Sequence, residues 1–235
     1  MSWLYKMSSS QRVMLESLGL TSLGLPIWST KFESQNAKAR GVLLIGGVHG
    51  NEPEGVIAAY KLIEVLGRTP RHNFDVQVLP CLNPEGFFTA SRLNSRGVDL
   101  NRNLPTKDWS REAFSPKYPP GDFAGSEIEN QILLQCLENF KPGLILSLHS
   151  FEKFMMNING DCRKIAEAMQ IKNQYPIEES IGYPTPGCLG TYAGLERDMP
   201  TITYEIKRGA SIEEILELHV PSLMLALKSY ENERN

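Results

Sequence analysis

Residues 42–45 form an unbroken apolar run that stops at Gly46-Gly47, the pattern of a strand buried on both faces inside a sheet. The period then changes. Val56, Ala59, Tyr60, Ile63 and Leu66 recur at helical spacing, and Pro53 stands in the first turn, where a missing N–H costs nothing. Residues 76–79 read as a strand, Ser126 with Glu129 as a capping box opening a helix that runs to about Phe140, and residues 144–148 as another buried strand. Asp161 is placed to cap a helix through Ile171, and residues 201–206 are a further β-prone run. Ser211 with Glu214 repeats the capping-box signal ahead of a C-terminal helical region interrupted at Pro221. This succession predicts an α/β fold: a single domain over residues 1–235, with a central mostly parallel or mixed twisted sheet flanked by helices.

Between Leu82 and Phe123 the pattern gives way to Asn, Pro, Gly, Arg and aromatics, a stretch too long for an idle connection in a compact domain. Loops of that kind carry function. Composition narrows the class: 41% hydrophobic and 22% charged residues exclude disordered and fibrous chains. The 24 basic against 27 acidic residues leave a formal charge of −3. That balance argues against nucleic-acid and membrane partners and leaves a small-molecule or peptide substrate. Cys81, Cys136, Cys162 and Cys188 are scattered, without a CxxC pair, and read as reduced thiols. The first thirty residues lack the continuous apolar core of a leader, and no apolar run is long enough to span a bilayer, so the expected location is cytoplasmic.

His49 and Glu52 occur in GGVHGNEPEG, directly after the first strong strand and at the mouth of the following helix, where open α/β sheets bind ligands. A His-x-x-Glu pair proves little by itself; its placement carries the weight. A catalytic zinc site needs three N or O ligands and one open position. His149, at the exit of the run GLILSLHS, is the natural third. His72 and His219 lack such a context and read as a surface-loop and a helix-face residue. Glu205 in TITYEI lies near the end of another apolar strand and is placed to take a proton from water. Its ordinary alternative is a strand-end carboxylate paired with Lys207 or Arg208. The loop SRLNSRGVDLNRNLP concentrates donors that suit an anion: Arg102 can fork onto a carboxylate, Asn101 adds an amide, and Arg92 can stabilise an oxyanion. Its bland alternative is a solvated loop.

HGNE, NPEGF followed by GVDLNRN, LSLHS and TYEI occur in the order seen in zinc metallocarboxypeptidases, which the chain resembles over about residues 41–206. The resemblance implies the carboxypeptidase fold and one zinc ion per chain held by His49, Glu52 and His149. It makes Glu205 the general base, Arg92 the carbonyl-polarising group, and Asn101 with Arg102 the clamp for a terminal carboxylate. It also implies that Asp99 orients the first histidine, a role that fixes the tautomer, and that Tyr183 is a substrate-contacting tyrosine. Phe151 departs from the family, many of whose members have tyrosine two residues after the third ligand. Within the family, GVDLNRNLP and GYPTPGCLGTY are most similar to bacterial murein peptide amidases. That points to a small peptide with a free carboxylate, cut between γ-D-glutamyl and meso-diaminopimelate. Competing expectations are an aspartoacylase or succinylglutamate-desuccinylase type of deacylase, disfavoured by the short helical stretch after Glu205, a general peptide carboxypeptidase, and a binding module without catalysis.

Overall fold

The computed structural model describes residues 13–35, 40–113 and 115–233. They build one eight-stranded sheet in the order β1-β2-β4-β3-β5-β8-β6-β7. The strands are β1 (Glu16–Leu20), β2 (Pro26–Phe32), β3 (Val42–Ile45), β4 (Val76–Leu79), β5 (Leu144–Phe151), β6 (Met155–Asn159), β7 (Ile177–Glu178) and β8 (Thr201–Lys207). The central four, β4-β3-β5-β8, are parallel, while β2 and β6 flank them antiparallel. This is the expected α/β architecture.

The alternation of each central strand divides the core in two. Val42 and Leu44 face one layer, packed against α1 (Pro53–Leu66), α4 (Arg163–Asn173) and α6 (Val220–Glu233). Leu43 and Ile45 face the other, which includes Leu133 and Leu137 of α3 (Ile128–Phe140). All four β3 side chains are fully buried, each aliphatic one contributing about 1.5–3 kcal/mol.

Pro53 opens α1 as expected. Two of the three expected helix starts are built differently. Ser126 does not cap α3: its hydroxyl donates to Glu127 and accepts from Asn103, and Glu127 occupies the cap position. Asp161 does not cap α4, whose cap position is Cys162. Ser211 does accept from the Glu214 N–H, 3.2 Å away, at the start of α5 (Ile212–Glu214). Pro221 falls in the first turn of α6, directly after wide π-helical turns at Ile215–His219, and so removes no needed hydrogen bond. The short α2 (Pro84–Phe88) is capped by the Asn83 side chain, which accepts from Gly86 at 2.9 Å.

The chain leaves β3 for β4 on one side and returns as β5 on the other, so the order of the sheet reverses between β3 and β5. At such a switch point the connections diverge and leave a crevice beyond the strand ends.

Candidate metal centre and active site

His49 and Glu52 sit in the turn between β3 and α1, at the switch point. A Cβ at Gly50 would collide with the backbone of Gly86 and Phe87, so the turn lies against α2 and only glycine fits there. His149 arrives from β5. Side chains alternate along that strand: Ile145, Ser147 and His149 share one face, while Leu144, Leu146 and Leu148 pack in the opposite layer. On β8, Thr201, Thr203 and Glu205 share the corresponding face. The parallel register pairs His149 directly with Glu205, so two strand ends place a histidine and a carboxylate side by side.

His49, Glu52 and His149 are all buried and converge. The two Nδ1 atoms are 3.1 Å apart, Glu52 Oε1 is 3.1 Å from His49 Nδ1, and Glu52 Oε2 is 3.0 Å from His149 Nδ1. The outer nitrogens are engaged: His49 Nε2 with Asp99 Oδ1 at 3.1 Å and His149 Nε2 with Ser147 Oγ at 3.1 Å. Burial works against ionising Asp99, but His49 and Arg92 outweigh it and hold its carboxyl well below the usual range. An ionised Asp99 only accepts, so the His49 proton belongs on Nε2 and its Nδ1 presents a lone pair inward. With His149 Nε2 likewise donating to the Ser147 hydroxyl, two imidazole lone pairs and a carboxylate face one point. Burial resists charge on His49, yet Glu52 and Asp99 prevail and raise its pKa. Burial would lift Glu52, but His49 and His149 hold it well below its ordinary value. Each group calls for positive charge between them. Among the described residues this N₂O set is the one group of three able to hold a metal ion, and its donor chemistry fits zinc.

The surrounding polar groups fix this set. Glu52 Oε2 accepts from the Ser150 N–H at 3.2 Å; Oε1 faces Arg92 Nη1 and Arg208 Nη2, each at 3.3 Å. Arg92 Nε donates to Asp99 Oδ2 at 2.9 Å, and Asp99 Oδ1 accepts from the Asn101 N–H at 2.9 Å. Asp99 thereby opens the short 3₁₀ turn Leu100–Arg102. Arg102 Nη1 is tied to the Asn101 carbonyl at 2.6 Å, while its buried Nε has no partner. Arg92 and Arg102 both lie over Tyr118, their guanidinium carbons 5.0 and 5.1 Å from its ring centre, and Tyr183 stacks on Tyr118 at 6.1 Å.

A cavity of about 450 Å³ opens here, lined among others by His49, Glu52, Arg92, Asn101, Arg102, Tyr183 and Glu205. The structure thus brings every expected site residue together, with His149 and Asp99 directly behind the lining. Glu205 is 6% exposed and makes no ion pair with Lys207 or Arg208; Arg208 instead reaches Glu52. Burial, reinforced by Glu52 and opposed by His149, pushes its carboxyl up to about 7. Sequence reasoning missed Tyr118, and it placed Arg208 only as a partner for Glu205. It missed as well the polar floor formed by Asn157, Asn159 and Thr203. The alternation in MMNIN beside that in TITYE was the available signal, since Asn157 pairs with Thr203 across β6 and β8. His219 is a correction of another kind: it is on a helical turn, as expected, but fully buried against Tyr204.

The zinc carboxypeptidase family model matches residues 1–209. Murein peptide amidase A of Escherichia coli (strain K12) is 29% identical over 189 residues, covering 75% of this chain and 75% of that protein. Its counterpart from Vibrio campbellii (strain ATCC BAA-1116) is 28% identical over 225 residues, covering 90% and 86%. Among solved structures, the murein-tripeptide amidase from Escherichia coli O157 superposes with a TM-score of 0.75 at 26% identity, covering 94% of this chain and 93% of that one. Carboxypeptidase A from Helicoverpa armigera shares the fold, with a TM-score of 0.80 at 18% identity, covering 94% and 68%.

Proposed function

This chain belongs to the zinc carboxypeptidase family, and from that premise we propose that it is a murein peptide amidase. On this reading it hydrolyses the γ-D-glutamyl–meso-diaminopimelate bond of L-Ala-γ-D-Glu-meso-diaminopimelate and releases diaminopimelate during peptidoglycan recycling or degradation. The observation that carries the reading is Arg102: a buried guanidinium with an unpartnered Nε, opening on the same cavity as the His49, Glu52 and Glu205 side chains. A carboxylate held there satisfies the orphaned donor and sets the amide one residue away against the histidines and Glu205. The two relatives named murein peptide amidase A supply the choice of substrate.

His49, Glu52 and His149 would hold zinc. Zinc there would supply Lewis acidity and bring the pKa of neighbouring water to about 7. Glu205, fixed beside His149 by the strand register, takes the proton from attacking water and delivers it to the departing amine. Arg92, braced by Asp99 and Glu52, presents its charge to the carbonyl oxygen as negative charge develops. Asn101 and Arg102 hold the diaminopimelate carboxylate, and Tyr183 closes on the bound peptide from the 177–189 segment. The neutral amide and hydroxyl groups of Asn157, Asn159 and Thr203 offer both donors and acceptors, which suits the far amino-acid centre of diaminopimelate.

Among the described residues no helix is long and apolar enough to cross a membrane. We place the protein in the cytoplasm as a single catalytic domain. Mass spectrometry of products from L-Ala-γ-D-Glu-meso-diaminopimelate, N-acetyl-aspartate and a peptide with an ordinary C-terminus tests the assignment. Free diaminopimelate with L-Ala-D-Glu is the expected result. An intact wall tripeptide beside cleavage of either other substrate rejects it.

A further inference from the structure

Arg208 follows β8 in a turn whose geometry is fixed independently of any ligand. Its N–H continues the ladder to the Phe151 carbonyl at 3.2 Å, and the next N–H, of Gly209, donates to Glu54 Oε1 at 2.6 Å. Its side chain is braced as firmly. Nη1 donates to the Asn51 carbonyl at 3.1 Å, and Nη2 to the Ser150 carbonyl at 2.8 Å and to Glu52 Oε1 at 3.3 Å. Even so, the side chain is 32% exposed and lines the cavity. A guanidinium pinned by two backbone carbonyls and still open to the substrate is preorganised for an anion.

Its position follows from the contacts. Arg208 and Arg92 meet at the same oxygen of Glu52, and Arg92 and Arg102 meet at Tyr118. The three cations therefore run in the order Arg208, Arg92, Arg102, with Arg92 beside the reacting carbonyl on the proposed reading. If Arg102 holds the carboxylate of the departing amino acid, Arg208 lies on the opposite, acyl side. Charge points the same way. With a divalent ion bound, three guanidiniums and that ion against Glu52, Asp99 and Glu205 would leave two surplus positive charges, while Lys117 and Glu152 at the cavity wall offset one another. One carboxylate on the leaving side neutralises only half of that surplus.

We infer that Arg208 is a specificity-determining residue that binds a second carboxylate, carried by the acyl group. This rests on the amidase reading and refines its substrate class: acyl donors with a free carboxylate a few bonds from the scissile carbonyl. A γ-linked glutamyl residue has one, about 5 Å from that carbonyl at ordinary bond lengths. An ordinary α-linked residue with an uncharged side chain does not.

The test compares L-Ala-γ-D-Glu-meso-diaminopimelate with its counterpart in which the glutamyl α-carboxylate is an amide. For the wild-type protein, kcat/KM should favour the free acid by at least about tenfold, the scale of a charge-assisted hydrogen bond. Arg208→Gln should bring the ratio close to one, and Arg208→Lys should keep part of it. Both peptides meet the same metal centre, so the ratio cancels any zinc lost by removing a neighbour of Glu52. Calorimetric binding of both peptides to Glu205→Gln and to the Glu205→Gln/Arg208→Gln double variant gives the same comparison without turnover. Equal affinities, or a preference that survives in Arg208→Gln, overturns the role of Arg208 and leaves the amidase reading standing. Release of diaminopimelate from neither peptide overturns the amidase reading and this proposal with it.

Discussion

Glu205 shows how surroundings change the acidity of one carboxylate. Desolvation lifts its pKa to about 7, so it exchanges protons readily near neutrality. Glu205→Gln removes the base while keeping the shape: kcat should fall by about 100-fold or more with zinc content unchanged, measured by steady-state kinetics beside metal analysis. Retention of wild-type kcat excludes Glu205 as the base. On the proposed reading Arg102 acts on binding instead. Arg102→Ala should raise KM about tenfold or more for substrates with a free terminal carboxylate and leave kcat much less affected; an unchanged KM removes the clamp. Both residues sit in motifs plain in the sequence, TYEI and DLNR. The unpartnered Nε of Arg102 and the burial of Glu205 are not visible there, because each depends on which distant side chains surround the group.

Elements set the precision of these contacts. The HGNE turn lies against the backbone of α2, and Gly50 is what permits it. Gly50→Ala must move α2 or the turn, so it should destabilise by about 1–3 kcal/mol in urea denaturation; a loss below about 0.5 kcal/mol would show that the contact gives way easily. On the far layer, Tyr204 of β8 accepts from Asn173 at 3.1 Å and donates to His219 Nδ1 across 2.6 Å, tying β8 to α4 and to the π-helical turns. Burial pushes the His219 pKa down to about 4, and its Nε2 has no partner. The unfolded chain, with an ordinary value of about 6.5, takes up the proton first as pH falls. This contribution is thus complete above about pH 6.5 and disappears as pH drops towards 4, at most about 3 kcal/mol. Unfolding free energies of the wild type and His219→Gln across that range check the sign: the variant should show the shallower acid slope. The central strands and α1 were legible because apolar runs and a helical period report burial directly. Strands β1, β2, β6 and β7 were not: β1 and β7 are exposed edges without an apolar period, and PIWSTKF and MMNIN mix polar residues into short runs instead of forming an unbroken apolar one. The failed cap at Ser126 has a tertiary cause: Asn103, more than twenty residues away in sequence, donates to its hydroxyl, which in turn donates to Glu127.

At the scale of the whole molecule, metal and fold are coupled. Two imidazole lone pairs and a carboxylate meet in a buried site, so an ion that binds there stabilises the folded chain by mass action. Removing metal with a chelator should abolish hydrolysis and lower Tm, and added zinc should restore both; a Tm and activity indifferent to chelation would contradict the assigned centre. By itself the sequence determined the α/β alternation, the residues able to hold a divalent ion, and the order along the chain of the groups proposed to act beside it. Those depend on residue type and on short-range periodicity, which are written locally. Tertiary structure decided that segments from His49 to Glu205 meet at the reversal between β3 and β5, that His149 stands opposite Glu205, and that Arg208 braces Glu52 rather than pairing with Glu205. Strand order and register arise from packing between residues a hundred positions apart, and no local pattern encodes that choice.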